Sequence, residues 1–281
     1  MLEASGMPAG PARLARLSAR LDQFAGRIEN RLIRAVPGDT MEVPRQEPIV
    51  SFTFDDVPDS ALDVGAAILE ANGARGTFYI SGGLEGQVEP GRTLIDREGC
   101  RELAARGHEI GCHSFGHHDI RQVDGPALTD DLARNAAYLD AIDPRPAPRN
   151  FAYPYNSGSF GKRALLARSF RSCRAGGEGI NRGPTDPTFL RAVEIRQPQQ
   201  HVLGLGRWID ALVADPGWLI FFTHDVSPRP TPHGCTAPSF HLLVGYALAR
   251  GCRILTVDAA LDHMGLRRMG PGQTNPGEQR R

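Results

Sequence analysis

The rhythm of apolar and polar positions changes near residue 48. Before that point Leu14, Leu17, Leu21, Phe24, Ile28 and Leu32 step by three or four between arginines, which is the spacing of an amphipathic helix, and Pro37 with Gly38 ends it. Beyond it, short apolar runs alternate with helical stretches, the signature of βαβ units around a parallel sheet. Strands are predicted over Ile49–Asp56, Gly76–Ser81, His108–Ser114, Asn150–Tyr155, Leu190–Ile195, Trp218–His224 and Arg253–Val257. Helices are predicted between most of them, over Ser60–Gly73, Cys100–Gly107, Ala127–Ile142, Gly206–Asp215 and Ser239–Gly251. The pattern divides the chain into a helical extension over 1–44, an α/β body over 45–265 and a Gly-, Pro-, Gln- and Arg-rich tail over 266–281 that is expected to be disordered.

Composition narrows the function classes. The chain has 281 residues, 41% of them hydrophobic, enough for a sizeable core and too many for a disordered chain. Lys+Arg and Asp+Glu both number 32, so no basic field exists to draw in nucleic acid, and no nucleic-acid partner is expected. The first forty residues lack the continuous apolar run of a signal peptide or a membrane span, so a cytoplasmic protein is expected. Five cysteines, an odd number without CxxC spacing, fit reduced buried thiols, with Cys112 set apart because a histidine cluster follows it. The apolar stripe of the first helix is expected to pack on the body or to join a second copy of the chain.

Four predicted strands end in groups that are costly to bury: Asp55 and Asp56, His113, Tyr155, and His224. All lie at C-terminal strand ends, the edge where parallel α/β architectures build their sites. Each could instead be a satisfied core polar group, and Asp56 or Asp59 a helix cap. Adjacent residues of a strand face opposite sides, so Asp55 and Asp56 reach one cleft only if the strand stops there, and Pro58 supports a turn. His113 and His117, four apart in H-S-F-G-H, can aim both rings one way. Two imidazoles and a carboxylate make a three-donor site for one divalent ion, Zn²⁺ first and Co²⁺ or Ni²⁺ next. His118 is read as a surface histidine.

The ordered set F-T-F-D-D (Phe52–Asp56), H-S-F-G-H (His113–His117), F-A-Y-P-Y (Phe151–Tyr155) and F-F-T-H-D (Phe221–Asp225) resembles the NodB-homology polysaccharide deacetylases, carbohydrate esterase family four. The resemblance implies a distorted (β/α)7 barrel and metal-assisted hydrolysis of an acetyl group, N-acetyl before O-acetyl, on a saccharide or sugar-containing precursor. By position it implies Asp55 as general base, His224 as general acid, and Asp56, His113 and His117 as metal ligands. It also implies that Tyr155, with Pro154 before it, holds the oxyanion and substrate through a backbone N–H.

The chain departs from the family pattern at three residues and lacks an evident fourth motif, the acidic and aromatic stretch that supports the catalytic histidine. Val57 stands where glycine is usual, Ala152 where an arginine orients the base, and Phe222 where leucine is usual. Arg149 is either a substitute for that arginine or a solvated loop residue, and the acid that supports His224 is one of Asp186, Asp225 and Asp258. Two alternatives stand beside the deacetylase: an amidohydrolase of the same fold acting on a small non-sugar amide, permitted by the altered third motif, and a non-catalytic carbohydrate-binding protein.

Overall fold

The computed structural model describes residue 26 and residues 28–145, 149–196 and 202–266. The barrel strands are β1 (Pro48–Asp55), β2 (Thr77–Ile80), β3 (Glu109–Cys112), β4 (Phe151–Ala152), β5 (Cys173–Arg174), β6 (Val193–Glu194), β7 (Gly217–Thr223) and β8 (Arg253–Ile254). They form one parallel sheet in the order β6-β7-β1-β2-β3-β4-β5, with β8 on the lower half of β1. The sheet curls until its edges meet. Leu190, three residues before β6, bridges Arg174 of β5 and accepts a hydrogen bond from the Ala175 N–H at 2.9 Å. This is the distorted seven-stranded barrel expected from the sequence.

Around it lie a π-helical turn (Ala61–Ala66) continuing as α1 (Ala67–Ala71), then α2 (Arg97–Ala105), α3 (Gly125–Asp140), α4 (Arg163–Ser169), α5 (Val202–Ala214), α6 (Ala237–Ala249) and α7 (Val257–His263). Asp96, Asp124 and Thr256 cap α2, α3 and α7 by accepting the N–H of the residue three further on.

Alternation along β1 sorts the two faces. Val50, Phe52 and Phe54 face the helices, where Phe54 stacks on Phe78 at 4.6 Å and Phe52 meets Phe221 and Phe240. Ile49, Ser51, Thr53 and Asp55 face inward. The barrel floor is apolar, built from Ile49, Trp218, Ile220 and Val257, and Glu109 seals its edge by accepting from Thr77 Oγ1, Asn150 Nδ2 and the Asp258 N–H at 2.7–2.8 Å. The polar end of the interior is therefore the C-terminal one.

Residues 28–35 are helical and dock on the barrel, but not along the expected stripe. Ile28 and Leu32 point outward, 44% and 54% exposed, while Ile33 is buried in the main core. The docked face is mixed, because Asn30 and Arg34 beside Ile33 find backbone partners on the barrel loops. Leu14 to Phe24 of the predicted helix, and the tail from residue 267, lie outside the described residues. Met41–Val43 pairs antiparallel with Gly183–Thr185, so the chain joins the barrel's packing before residue 44. Three short elements had no sequence signal: this pair, a Val88–Glu89/Arg92–Thr93 hairpin, and strand β5.

Ile33 is the apolar anchor of the docked helix. Ile33→Ala is expected to lower unfolding stability by about 2–5 kcal/mol, the range for a buried isoleucine truncated to alanine, measured as a shift of the urea midpoint. A midpoint within error of the parent would mean that the helix is not docked through this residue.

Candidate active site

Strand β1 ends at Asp55, and the next two residues, Asp56 (φ 59°) and Val57 (φ 52°), take left-handed backbone. That kink lets adjacent carboxylates share one cleft. Its cost falls on Val57, a β-branched residue in a conformation that favours glycine, which is the residue usual in the pattern above. The Val57 side chain is fully buried, and its backbone is tied to Asp55 and Ile95. Among the described residues the other non-glycine positions with positive φ are Ser114, His117, Tyr155 and Asn156, all in the loops at this end of the barrel. Strain gathered at one site in this way is a mark of function.

Asp56, His113 and His117 bring one donor atom each to within 4.8 Å of one another. Asp56 Oδ1 lies 3.1 Å from His117 Nε2 and 3.7 Å from His113 Nε2, yet it is buried with no hydrogen-bond partner. Unpaired donors converging in this way fit a divalent cation. His113 Nδ1 is 2.8 Å from the Ala152 carbonyl, which fixes the proton on Nδ1 and turns the Nε2 lone pair toward Asp56. The H-S-F-G-H loop is held by Asp131, whose carboxylate accepts the N–H groups of Phe115 and Gly116 at 2.7 and 2.8 Å. The His117 ring meets that of His113 at 4.9 Å and that of Tyr155 at 4.8 Å. His118 is exposed, as expected.

Charge follows this packing. Burial alone would raise the Asp56 pKa, but contact with His117 and the positive charge that His117, His113 and His224 can carry outweigh it, holding the carboxyl well below the usual range. Arg92, from the hairpin, adds an ion pair to Asp56 Oδ2 at 3.0 Å. Burial pushes the His113 imidazole down to about 4, so it is neutral near pH 7 and available as a ligand.

Asp55 is buried, and its counter-charge is Arg174, whose guanidinium donates to Asp55 Oδ2 at 2.5 Å and to Asn156 Oδ1 at 3.0 Å. Arg174 is fully buried, packed over Phe222 and Tyr79, and it sits directly across the β4–β5 register from Ala152. The arginine missing at Ala152 is thus matched from the neighbouring strand. Arg149 is neither its substitute nor a solvated loop residue: it is 7% exposed and bonds Asp143, Asp140 and the Ile110 carbonyl. Asp55 Oδ1 has no hydrogen-bond partner.

His224 faces Asp56 from β7's end, Nε2 to Oδ2 3.9 Å, and its Nδ1 lies 3.2 Å from the His233 carbonyl. None of the three expected acids touches it. Asp186 pairs with Arg163, and Asp258 with Arg171. Asp225 accepts from Thr231 and so shapes the loop that delivers the His233 carbonyl. Pro154 is buried and Tyr155 is 64% exposed at the cleft. Neither Asp56 nor Asp59 caps the helix after β1, where Ser60 holds the N-cap position. Cys112 is inert: burial raises its thiol to about 11, and its sulfur lies 3.1 Å from Asn135 Nδ2.

Residues 42–169 match the family model described as polysaccharide deacetylase. A chitin deacetylase of Colletotrichum lindemuthianum is 26% identical over 232 residues, 81% of this chain and 86% of that protein. Another, of Pestalotiopsis sp, is 27% identical over 92 residues, 33% of this chain and only 29% of that protein's length. Over residues 42–169 the chain is similar to polysaccharide deacetylases. The solved Colletotrichum enzyme shares the fold at 22% identity with a TM-score of 0.57, over 80% of this chain and 92% of that one. So does a family 4 acetyl xylan esterase of Clostridium thermocellum, solved with cobalt, at 20% identity and a TM-score of 0.54, over 79% and 97%. The matched segment contains Asp55, Asp56, His113 and His117 but ends before Arg174 and His224.

The site carries a test of its own in the metal-free protein. The His113 ring should stay neutral, with its proton on Nδ1, down to about pH 4. Because that folded pKa lies below the ordinary 6.5, unfolding takes up a proton in between. The contribution to stability is therefore complete above about 6.5 and is lost as pH falls toward 4. Imidazole ¹H–¹⁵N correlations across pH 3–8 check this; a His113 ring titrating near 6.5, or protonated on Nε2, would contradict the geometry.

Proposed function

We propose that the protein is a metal-dependent hydrolase that removes an acetyl group, N-acetyl in preference to O-acetyl, from a saccharide or sugar-containing precursor. The observation that carries the reading is the convergence of Asp56, His113 and His117 beside a buried Asp55 whose free oxygen faces no partner. One divalent ion, zinc by the mixed imidazole and carboxylate donors, would be held by those three side chains. When bound, it supplies Lewis acidity to the acetyl carbonyl and to the attacking water.

The chain's own groups perform the proton transfers. Asp55 accepts a proton from the attacking water through Oδ1, while Arg174 holds Oδ2 in an ion pair. His224 donates a proton to the departing sugar nitrogen as the carbon–nitrogen bond breaks, and acetate leaves. The His233 carbonyl on Nδ1 keeps the Nε2 proton of His224 aimed into the cleft. The turn at Tyr155 supplies the backbone donor to the developing oxyanion. A cleft of about 440 Å³ lined by Arg92, Glu89, Ser60 and Val226 shares Arg92 with the site and offers room for the rest of the substrate.

The small-amide alternative drew on the lost third-motif arginine, and Arg174 removes that ground. A purely binding role does not call for a buried carboxylate held by Arg174 beside a histidine that faces the Asp56 cleft. The five cysteines are all buried and none forms a disulfide, which supports a reducing, cytoplasmic setting. No helix among the described residues is long and apolar enough to cross a membrane.

The test is acetate release from a panel of N-acetylated and O-acetylated sugars with added Zn²⁺, Co²⁺ or Ni²⁺, alongside metal content per chain. The expected result is one ion per chain and turnover on an N-acetylated sugar, with His113→Ala losing both. Asp55→Asn should keep the ion and lose about 10²- to 10⁴-fold in turnover. His224→Ala should also keep the ion and lose about 10²- to 10⁴-fold in turnover. Full turnover in Asp55→Asn, or no stoichiometric metal in the parent, would sink the reading.

A further inference from the structure

The Tyr155–Asn156 turn touches both halves of the site. Its two residues are consecutively left-handed, φ 56° and 53°, a conformation disfavoured for any residue with a Cβ. On one side the Tyr155 ring packs against His117, one of the three metal donors. On the other, Asn156 Oδ1 accepts from Arg174, which holds Asp55. A turn so strained persists only where its surroundings fix it.

Much of that fixing comes from outside the matched family segment. Asn30, on the docked N-terminal helix, straddles the turn with its amide: Nδ2 donates to the Asn156 carbonyl at 3.0 Å, and Oδ1 accepts the Gly158 N–H at 2.9 Å. The helix is held in place independently by buried Ile33, by Arg34 donating to the Gly176 carbonyl, and by Glu29 accepting the Phe160 N–H at 2.8 Å. Gly158 leaves room for this approach, since a Cβ there would lie 2.8 Å from Ile33 Cδ1.

We propose that the N-terminal helix is a positioning element of the active site, in which Asn30 clamps the Tyr155–Asn156 turn and through Asn156 keeps Arg174 registered on Asp55. The chain of contacts is Asn30, Asn156, Arg174, Asp55, and every link is a hydrogen bond of 3.0 Å or less. Asn30 itself reaches no reacting atom. Its effect on turnover rests on the deacetylase reading, while its effect on the turn does not.

Two readouts on the full-length, metal-loaded protein test the clamp. In Asn30→Ala, amide exchange at residues 155–158 should speed up by about tenfold, the scale of one lost hydrogen bond. The metal should stay at one per chain, and kcat should fall by about 10- to 10²-fold with KM within about twofold, as expected for a misplaced catalytic group and intact substrate binding. Asn156→Gly keeps the left-handed backbone and the clamped carbonyl but removes the acceptor for Arg174. It should lower kcat in the same way, so the proposal remains testable even if Asn30→Ala loosens the helix. Leu32→Ala, at an exposed position of the same helix, should leave kcat unchanged. Unchanged exchange in Asn30→Ala would overturn the clamp, as would kcat held within about twofold of the parent in both Asn30→Ala and Asn156→Gly. A parent that releases no acetate from any substrate would instead defeat the deacetylase reading, and the exchange measurement alone would then decide the clamp.

Discussion

Two adjacent carboxylates are buried at the end of an otherwise apolar strand, and desolvating them costs several kcal/mol each unless each meets a positive or polarisable partner. The rest of the site answers that constraint. Asp55 meets Arg174 inside the barrel, and Asp56 meets Arg92 from the hairpin and the imidazoles of His113 and His117. The partners come from three stretches of the chain: the hairpin, the H-S-F-G-H loop and strand β5. The barrel is the frame that brings these stretches to one rim, and the partners give back part of the desolvation cost.

The arrangement also explains where the backbone is strained. A regular strand would send Asp55 and Asp56 to opposite faces, so the chain must leave β-geometry between them, and Asp56 and Val57 do so in left-handed conformation. Tyr155 and Asn156 do the same on the facing loop, where a side chain must reach back to Arg174 while its neighbour covers His117. Both kinks are braced from outside: the Val57 carbonyl accepts the Ile95 N–H, and Asn30 bonds the backbone of the tyrosine turn.

Sequence reading succeeded where an apolar run was long enough to carry a period. Strands β1, β2, β3 and β7 were legible, and with them Asp55, Asp56, His113 and His224, because each follows directly on such a run. Strand β5 is two residues long, set between Ser172 and Ala175-Gly176-Gly177, and offers no period to read. Arg174 disappeared with it. An arginine in a glycine-rich stretch looks like a surface residue, and only the β4–β5 register reveals it across from Ala152. Arg149 was the nearer candidate in sequence but closes the end of α3. The docking face of the N-terminal helix was misjudged for a similar reason: its contacts run through Asn30 and Arg34, which hydrophobic periodicity does not count. The support of His224 was sought among acids, whereas a backbone carbonyl provides it.

The central claim is that Asp56, His113 and His117 form one cation site on this barrel. Crystals soaked in Zn²⁺ and measured at the zinc absorption edge test it most directly. The account predicts one strong anomalous peak per chain, about 2.0–2.2 Å from an Asp56 carboxylate oxygen and from Nε2 of both His113 and His117. A peak bound elsewhere, or an Asp56 still paired only with Arg92 at saturating zinc, would contradict it.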